Sequence, residues 1–294
     1  MPRLRTLVTA AAVIKTAGIA YAVAEAHQYR LRRFTVPVLE PDAEPLRVLH
    51  ISDLHLTPWQ RGKAAWVRRL AGLQPDLVVN TGDNLAHPKA VSTVLETLDP
   101  LLDVPGVFVM GSNDYYGPVW KNPARYLLPD SGGRVFGKAL PWESLRDDFV
   151  ARGWRDLNNR TANLTIRGQE IAAVGTDDPH LGLDRYSDVQ YPASEPGVLR
   201  VGVTHAPYLR VLDAMADDGV QLTFAGHTHG GQLCMPGYGA LVTNCDLPTS
   251  QAKGLHQRGD GWLHVSAGVG TSPTAPIRFA CPPEATLLTL VPRH

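Results

Sequence analysis

The sequence has no surplus of charge: its 294 residues carry 28 basic and 28 acidic side chains. No global field draws such a chain to nucleic acid, so no nucleic-acid partner is expected and any recognition of phosphate has to be local. Cysteine is scarce as well, with three residues, Cys234, Cys245 and Cys281, and no Cys-x-x-Cys pair. An odd, scattered set argues against both a disulfide framework and a cysteine-built zinc site, and the three read as free thiols. Internal repeats, low-complexity tracts and Ser/Gly linkers are also missing, which favours one large domain over a string of modules.

What is present begins with an apolar stretch, Leu7 to Ala26, interrupted by Lys15 and Glu25. Its length suits a bilayer span of about 20 residues. Lys15 costs about 2.5 to 3.5 kcal/mol near a bilayer centre unless it snorkels, which makes insertion marginal. Ala22-Val23-Ala24 and Ala24-Glu25-Ala26 have the small-residue spacing of a signal cleavage site, yet Arg30, Arg32 and Arg33 follow closely. Residues 1–33 are therefore read as an anchor or signal-like segment and 34–294 as one folded domain, with the chain associated with a membrane on a side left open.

Beyond Phe34, short apolar runs alternate with helical or loop stretches, the pattern of an α/β domain. Strands are expected at Arg47–Ile51, Leu77–Asn80, Val107–Met110, Ile171–Val174, Leu199–Thr204, Leu222–Ala225, Leu263–Ser266 and Thr286–Leu290. Helices are expected at Gly62–Leu73, Ala90–Leu98, Trp142–Arg152 and Ala206–Ala216, with a Pro- and Gly-rich loop from Gly117 to Leu140.

Five of the apolar runs end in metal-binding side chains. They run into Asp53-Leu54-His55, Gly82-Asp83-Asn84, Gly111-Ser112-Asn113-Asp114, His205, and Gly226-His227-Thr228-His229-Gly230. One Asp after a strand is usually a turn or cap residue, and one His is usually structural. Five such endings point to a common site outside the carboxyl ends of the strands. His227 and His229, two residues apart, can face one cavity, and the flanking glycines let the backbone turn and approach a ligand. Two aspartates, an amide and four histidines exceed the needs of one ion but suit two divalent cations sharing a carboxylate, and mixed N/O donors favour Mn²⁺, Fe or Zn²⁺.

The ordered set Asp53-x-His55, Gly82-Asp83, Gly111-Ser112-Asn113-Asp114, His205 and Gly226-His227-x-His229 resembles the calcineurin-like metallophosphoesterase family over about Leu46 to Leu290. Gly226 to Gln232, Val265 to Gly270 and Pro276 to Phe279 resemble its membrane-associated branch of bacterial phosphohydrolases, which includes UDP-diacylglucosamine diphosphatases. The resemblance implies a four-layer αββα sandwich of two mixed sheets with flanking helices. It also implies that Asp53, His55 and His229 bind one metal, that His205 and His227 bind a second, and that Asp83 bridges them.

One motif departs from the family's Gly-Asn-His-Asp or Gly-Asn-His-Glu. Aligned without a gap, Ser112 stands where the family has its Asn ligand and Asn113 where it has the histidine that faces the leaving group. Either Ser112 serves as a weak ligand or Asn113 swings into the metal site; an amide oxygen is the better ligand, which favours Asn113. Asn113 and Asp114 are accordingly the candidate catalytic residues, and orienting the neighbouring backbone or Asn113 is the alternative for Asp114.

The expected activity is hydrolysis of a phosphodiester or diphosphate bond by a metal-bridging hydroxide. The substrate is a phosphoester, with a lipid-linked one suggested by the apolar N-terminus, and the place a bacterial-type cytoplasmic membrane. His180 and His87 are candidates for protonating the leaving group, and Arg278, Lys121 and Arg125 are basic residues that could meet a phosphate but carry no assigned role. The alternative is a scaffold that keeps the metal site without turnover.

Overall fold

The computed structural model describes residues 16–119, 136–189, 191, 195–271 and 274–293. The continuous apolar runs become strands buried on both faces. These are β2 (Leu46–Ile51), β3 (Leu77–Asn80), β4 (Gly106–Phe108), β8 (Leu199–Thr204) and β9 (Leu222–Ala225), buried at every position except Arg47. Strands covered from both sides are expected to read as unbroken apolar runs.

The first sheet has the order β1-β14-β2-β3-β4-β5, with β1 at Arg30–Leu39, β5 at Arg155–Asp156 and β14 at Glu284–Pro292. β14 runs antiparallel to β2 and the other pairs are parallel. The second sheet has the order β12-β13-β9-β8-β7-β6, adding β6 (Arg160–Ile166), β7 (Gln169–Gly175), β12 (Gly254–Arg258) and β13 (Gly261–Val265). Its outer pairs are antiparallel and its inner ones parallel. A small hairpin, β10 (Cys234–Met235) and β11 (Gly239–Ala240), stands apart.

Alternation along the strands divides the apolar side chains between layers. Val48, Val79 and Val107 pack against Val201, Val203 and Phe224 between the sheets. Their neighbours Leu49, Ile51, Val78 and Phe108 face outward onto α2 (Arg61–Arg68), α3 (Val91–Leu102) and α5 (Trp142–Ala151), through Val67, Val94, Leu98 and Phe149. On the far side, α6 (Leu209–Asp217) sets Val211, Leu212 and Met215 against the outer face of the second sheet. The result is the expected αββα sandwich.

Some boundaries differ from the sequence reading. α3 continues beyond Leu98 through Pro100 to Leu102. Proline removes the N–H that would have bonded the carbonyl of Glu96, and that carbonyl instead accepts from the Arg68 guanidinium. The helix expected from Gly62 tightens after Arg68 into a 3₁₀ turn, Arg69–Leu73. β1 straddles the 33/34 boundary drawn from sequence.

Helix α1 (residues 16–25) seats Ala22 and Glu25 on the domain, followed by buried Ala26. Its packing is fixed by a hydrogen bond from Arg278 N to Ala22 O of 2.9 Å and by an edge-to-face contact of Tyr21 with Phe279, 5.5 Å between centroids. Residues 7–15 of the apolar stretch lie outside the described residues. Among the described residues, no helix is long and apolar enough to cross a membrane. Lys121 and Arg125 also lie outside the described part of the loop.

Candidate metal centre

β2, β3, β4, β8 and β9 all deliver their C-terminal loops to one place. Five of the residues expected as ligands adopt left-handed backbone: Asp53 (φ 51°), His55 (42°), Asp83 (57°), His227 (68°) and His229 (49°). Such conformations cost about 1 to 3 kcal/mol each for residues with a side chain and persist only where the surroundings impose them. Here backbone hydrogen bonds impose two of them: Asp53 N donates to Gly82 O and His55 N to Asp83 O, both at 2.9 Å. Two glycines make the approach possible. A Cβ on Gly226 would collide with Ser52 Oγ and lie 2.7 Å from Asp53 Oδ2, and one on Gly111 would collide with Asp83 Oδ1 and lie 2.6 Å from the His205 ring.

Two overlapping groups of ligand atoms converge, Asp53 with His55 and His229, and Asp53 with Asp83 and His205, each within 4.8 Å. The Nε2 atoms of His55 and His229 are 3.1 Å apart with their rings stacked at 22°. His229 Nε2 is 3.5 Å from Asp53 Oδ1. Asp83 Oδ2 lies 3.5 Å from His55 Nε2 and 3.4 Å from His205 Nε2, between the two groups. His227 stands beside His205 with centroids 5.2 Å apart; its Nε2 is 3.2 Å from the Asn244 carbonyl and its backbone N donates to Asp53.

The electrostatics favour a cation. Burial lowers His55 to about 4 and His229 to about 3, against the opposing pull of Asp83 and Asp53, so both imidazoles are neutral and available as donors. Burial would raise Asp83 too, but His205 beside it holds the carboxyl well below the usual range. At His205, burial is outweighed by the carboxylates of Asp83, Asp178 and Asp53, which raise its pKa well above the ordinary value. That excess of negative charge is what a divalent ion would neutralise.

The donor set fits such ions. His205 Nδ1 lies 2.7 Å from the Thr81 carbonyl, which can only accept, so Nδ1 keeps a proton and Nε2 is the nitrogen that a bound cation would deprotonate and use. Nε2 is buried without a hydrogen-bond partner among the described residues. A histidine that donates its second nitrogen to a backbone carbonyl is the usual arrangement of a metal ligand.

The departing motif lies on a one-turn helix, α4 (Ser112–Tyr115). Asn113 donates from its backbone N and from Nδ2 to Asp83, both at 2.7 Å, while Ser112 Oγ lies 3.4 Å from Asn113 Nδ2. Asp114 is fully buried and accepts backbone N–H bonds from Asp83 (2.8 Å), Asn84 (2.8 Å), Gly111 (3.0 Å) and Leu85 (3.1 Å), tying the loops after β3 and β4 together. Burial and Asp83 push its carboxyl up to about 7 against these donors.

Of the two candidate acids, His180 is the nearer, its ring 4.5 Å from His227 and its Nδ1 3.2 Å from Tyr208 Oη. His87 packs on Trp59 instead and accepts from Lys89 N. Arg278 does not face a substrate: it is fully buried and donates to the carbonyls of His229, Ala267, Gly268 and Gly270.

Sequence reasoning missed two features. Asp178 is fully buried, its Oδ1 accepting from His180 N and its Oδ2 without a hydrogen-bond partner among the described residues. It shares the negative field at His205, and only its adjacency to His180 hinted at it. A chain of hydrogen bonds also enters the site from the core between the sheets: His264 Nδ1 to His50 Nδ1 (2.8 Å), His50 Nε2 to Thr81 Oγ1 (3.0 Å), Thr81 Oγ1 to Ser52 Oγ (2.6 Å) and Ser52 Oγ to Asp53 Oδ2 (2.5 Å). No local motif announces it, because its members lie on three strands or their ends.

The chain is similar to known proteins over most of its length. The chain is 26% identical over 284 residues to YpbG of Bacillus subtilis, covering 96% of this chain and 98% of that one. It is 26% identical over 292 residues to the phosphodiesterase YaeI of Escherichia coli, covering 96% of each. It is 25% identical over 286 residues to the UDP-2,3-diacylglucosamine pyrophosphatase LpxG of Chlamydia muridarum, covering 83% of each. A family model, calcineurin-like phosphoesterase, matches residues 46–231, from β2 through His229. With more than half its length matched and the ligand groups assembled at the strand ends, the chain belongs to the calcineurin-like phosphoesterase family and is a metallophosphoesterase, a hydrolase of phosphoesters.

Proposed function

We propose that the chain hydrolyses a phosphodiester or diphosphate bond at a centre of two divalent cations, Mn²⁺, Fe or Zn²⁺. Asp53, His55 and His229 would hold one ion, His205 and His227 the other, with Asp83 between them and Asn113 beside Asp83. The observation that carries this is Asp83 Oδ2, which lies within 3.5 Å of the Nε2 atoms of both His55 and His205. Such a pair of ions, when bound, polarises a phosphoryl oxygen and makes water acidic enough to attack phosphorus.

The chain's own residues supply the rest. Ser52 and the His227 backbone hold Asp53 Oδ2, Thr81 holds His205 in the tautomer that presents Nε2, and Asp114 fixes the loop that carries Asp83. Asp114 is a positioning residue in this reading. Asn113 cannot donate a proton as an acid, so leaving groups that depart without one are preferred, which suits aryl diesters and diphosphates.

The name of LpxG supports a lipid-linked substrate, and the apolar N-terminal sequence supports attachment to a membrane of the bacterial cytoplasmic type. A panel of phospholipids, nucleoside diphosphates and aryl diesters assayed with Mn²⁺ tests the reading. Turnover of aryl diesters and of a lipid-linked diphosphate is expected; turnover confined to alkyl monoesters would contradict it.

A further inference from the structure

Seven of the eleven large hydrophobic side chains exposed among the described residues lie on two joined segments. Ile19, Tyr21 and Val23, each 41% exposed or more, project from α1. Leu233, Met235, Tyr238 and Leu241, at 42% to 70%, project from the β10–β11 hairpin and its flanks. The segments meet through Phe279, which touches Tyr21, bridges to Leu233 and receives a hydrogen bond from Cys234 N at 2.8 Å.

The segments that form this face carry little charge of their own. Residues 16–24 and 231–245 contain no Asp, Glu, Lys or Arg, and residues 274–283 contain one, Arg278, which is fully buried. A short hairpin facing water normally carries charge on its edges to discourage association, and concentrated apolar patches of this kind mark interaction surfaces.

We infer that this α1–hairpin face docks on a lipid bilayer, seating the metal centre at the membrane surface. The inference rests on the membrane reading above and names the face that meets the lipid. Three observations select a bilayer over a protein. The sequence before α1 is apolar as well: residues 7–14 carry no charge and are bounded by Arg5 and Lys15. Tyr21 and Tyr238 offer the amphipathic rings that settle at headgroup level. Exposed Arg30 and Arg33, just beyond α1, match anionic headgroups. The hairpin begins five residues after His229, and Cys234 Sγ donates to the Gly230 carbonyl at 3.2 Å, so the face borders the ligands. A phosphoester carried on a lipid would meet the centre with its acyl chains still in the bilayer.

The test uses the full chain with phosphatidylglycerol–phosphatidylcholine vesicles. Met235→Cys, Tyr238→Cys and, on the remote helix α5, Val150→Cys are labelled with an environment-sensitive fluorophore, with labelled wild type as background. Brominated lipid is expected to quench the labels at 235 and 238 several-fold more than the label at 150. If the chain co-sediments with vesicles but all three labels quench equally, this face is not the docking surface, although the membrane reading stands. If it does not co-sediment at all, both fall. Self-association without lipid that shields the labels at 235 and 238 would overturn the bilayer as occupant. Turnover of a soluble aryl diester by the labelled variants, expected within twofold of wild type, reports the metal centre separately.

Discussion

His50 and His264 meet Nδ1 to Nδ1 at 2.8 Å in the buried space between the two sheets. The directions of the bonds follow from what each group can do. The Asp53 carboxylate accepts from Ser52, Ser52 accepts from Thr81, and Thr81, its one proton committed, accepts from His50 Nε2. His50 Nδ1 is then an acceptor, and His264 Nδ1 donates to it. Each link orients the next, so a neutral histidine pair in the core fixes one oxygen of a candidate metal ligand.

Neutrality of that pair makes the fold sensitive to acid. Burial lowers His50 well below its ordinary value and His264 to about 3. Between about 6.5 and about 3 the unfolded chain binds protons that the folded chain refuses, so stability is fully present above about 6.5 and declines below it, by up to about 1.4 kcal/mol per pH unit for each imidazole. Urea unfolding of the metal-free chain from pH 7 to pH 5 is expected to show a steeper loss for wild type than for a His50→Leu/His264→Leu double variant. Equal slopes would mean that the pair does not stay neutral.

Gly226 sits where its backbone leans on Ser52 and Asp53. Gly226→Ala is expected to destabilise the chain by about 1 to 3 kcal/mol, the range for overpacking, and to weaken Mn²⁺ binding at least tenfold. Gly62→Ala, in α2 with nothing within 4 Å of the added carbon, is expected to raise stability by about 0.5 to 1 kcal/mol. Thermal melts and calorimetric Mn²⁺ titration of both variants check the pair.

The Asn113 side chain is committed to Asp83, which leaves the family's leaving-group position without an acid. The rate on a series of aryl and alkyl phosphodiesters is expected to climb steeply with leaving-group acidity. Ser112→Asn with Asn113→His, which restores the family pattern, is expected to flatten that slope. A wild-type slope near zero would contradict the assignment.

The strands that carry the site were legible because burial on both faces makes them unbroken apolar runs; β3, β8 and β9 coincide with their expected spans. The edges were not. β6 alternates exposed and half-buried residues along Arg160–Ile166, β12 reads Gly-Leu-His-Gln-Arg, and β1 mixes three arginines with a proline, so none offers an apolar run. α6 starts at Leu209 and not at Ala206, because Pro207 follows Ala206 and Tyr208 is extended. At the site, Asp53, His55, Asp83, His205 and His229 announced themselves by position after strands. Asp178, His50 and His264 act through burial and contacts across the sheets, which one-dimensional spacing does not encode.

The most direct test of the two-metal hydrolase is a titration of the EDTA-stripped chain with Mn²⁺ while hydrolysis of a bis-aryl phosphodiester is followed. No turnover is predicted without metal, with activity rising to a plateau at two ions per chain. Activity in the stripped chain, or saturation by metal with no hydrolysis, would contradict the account.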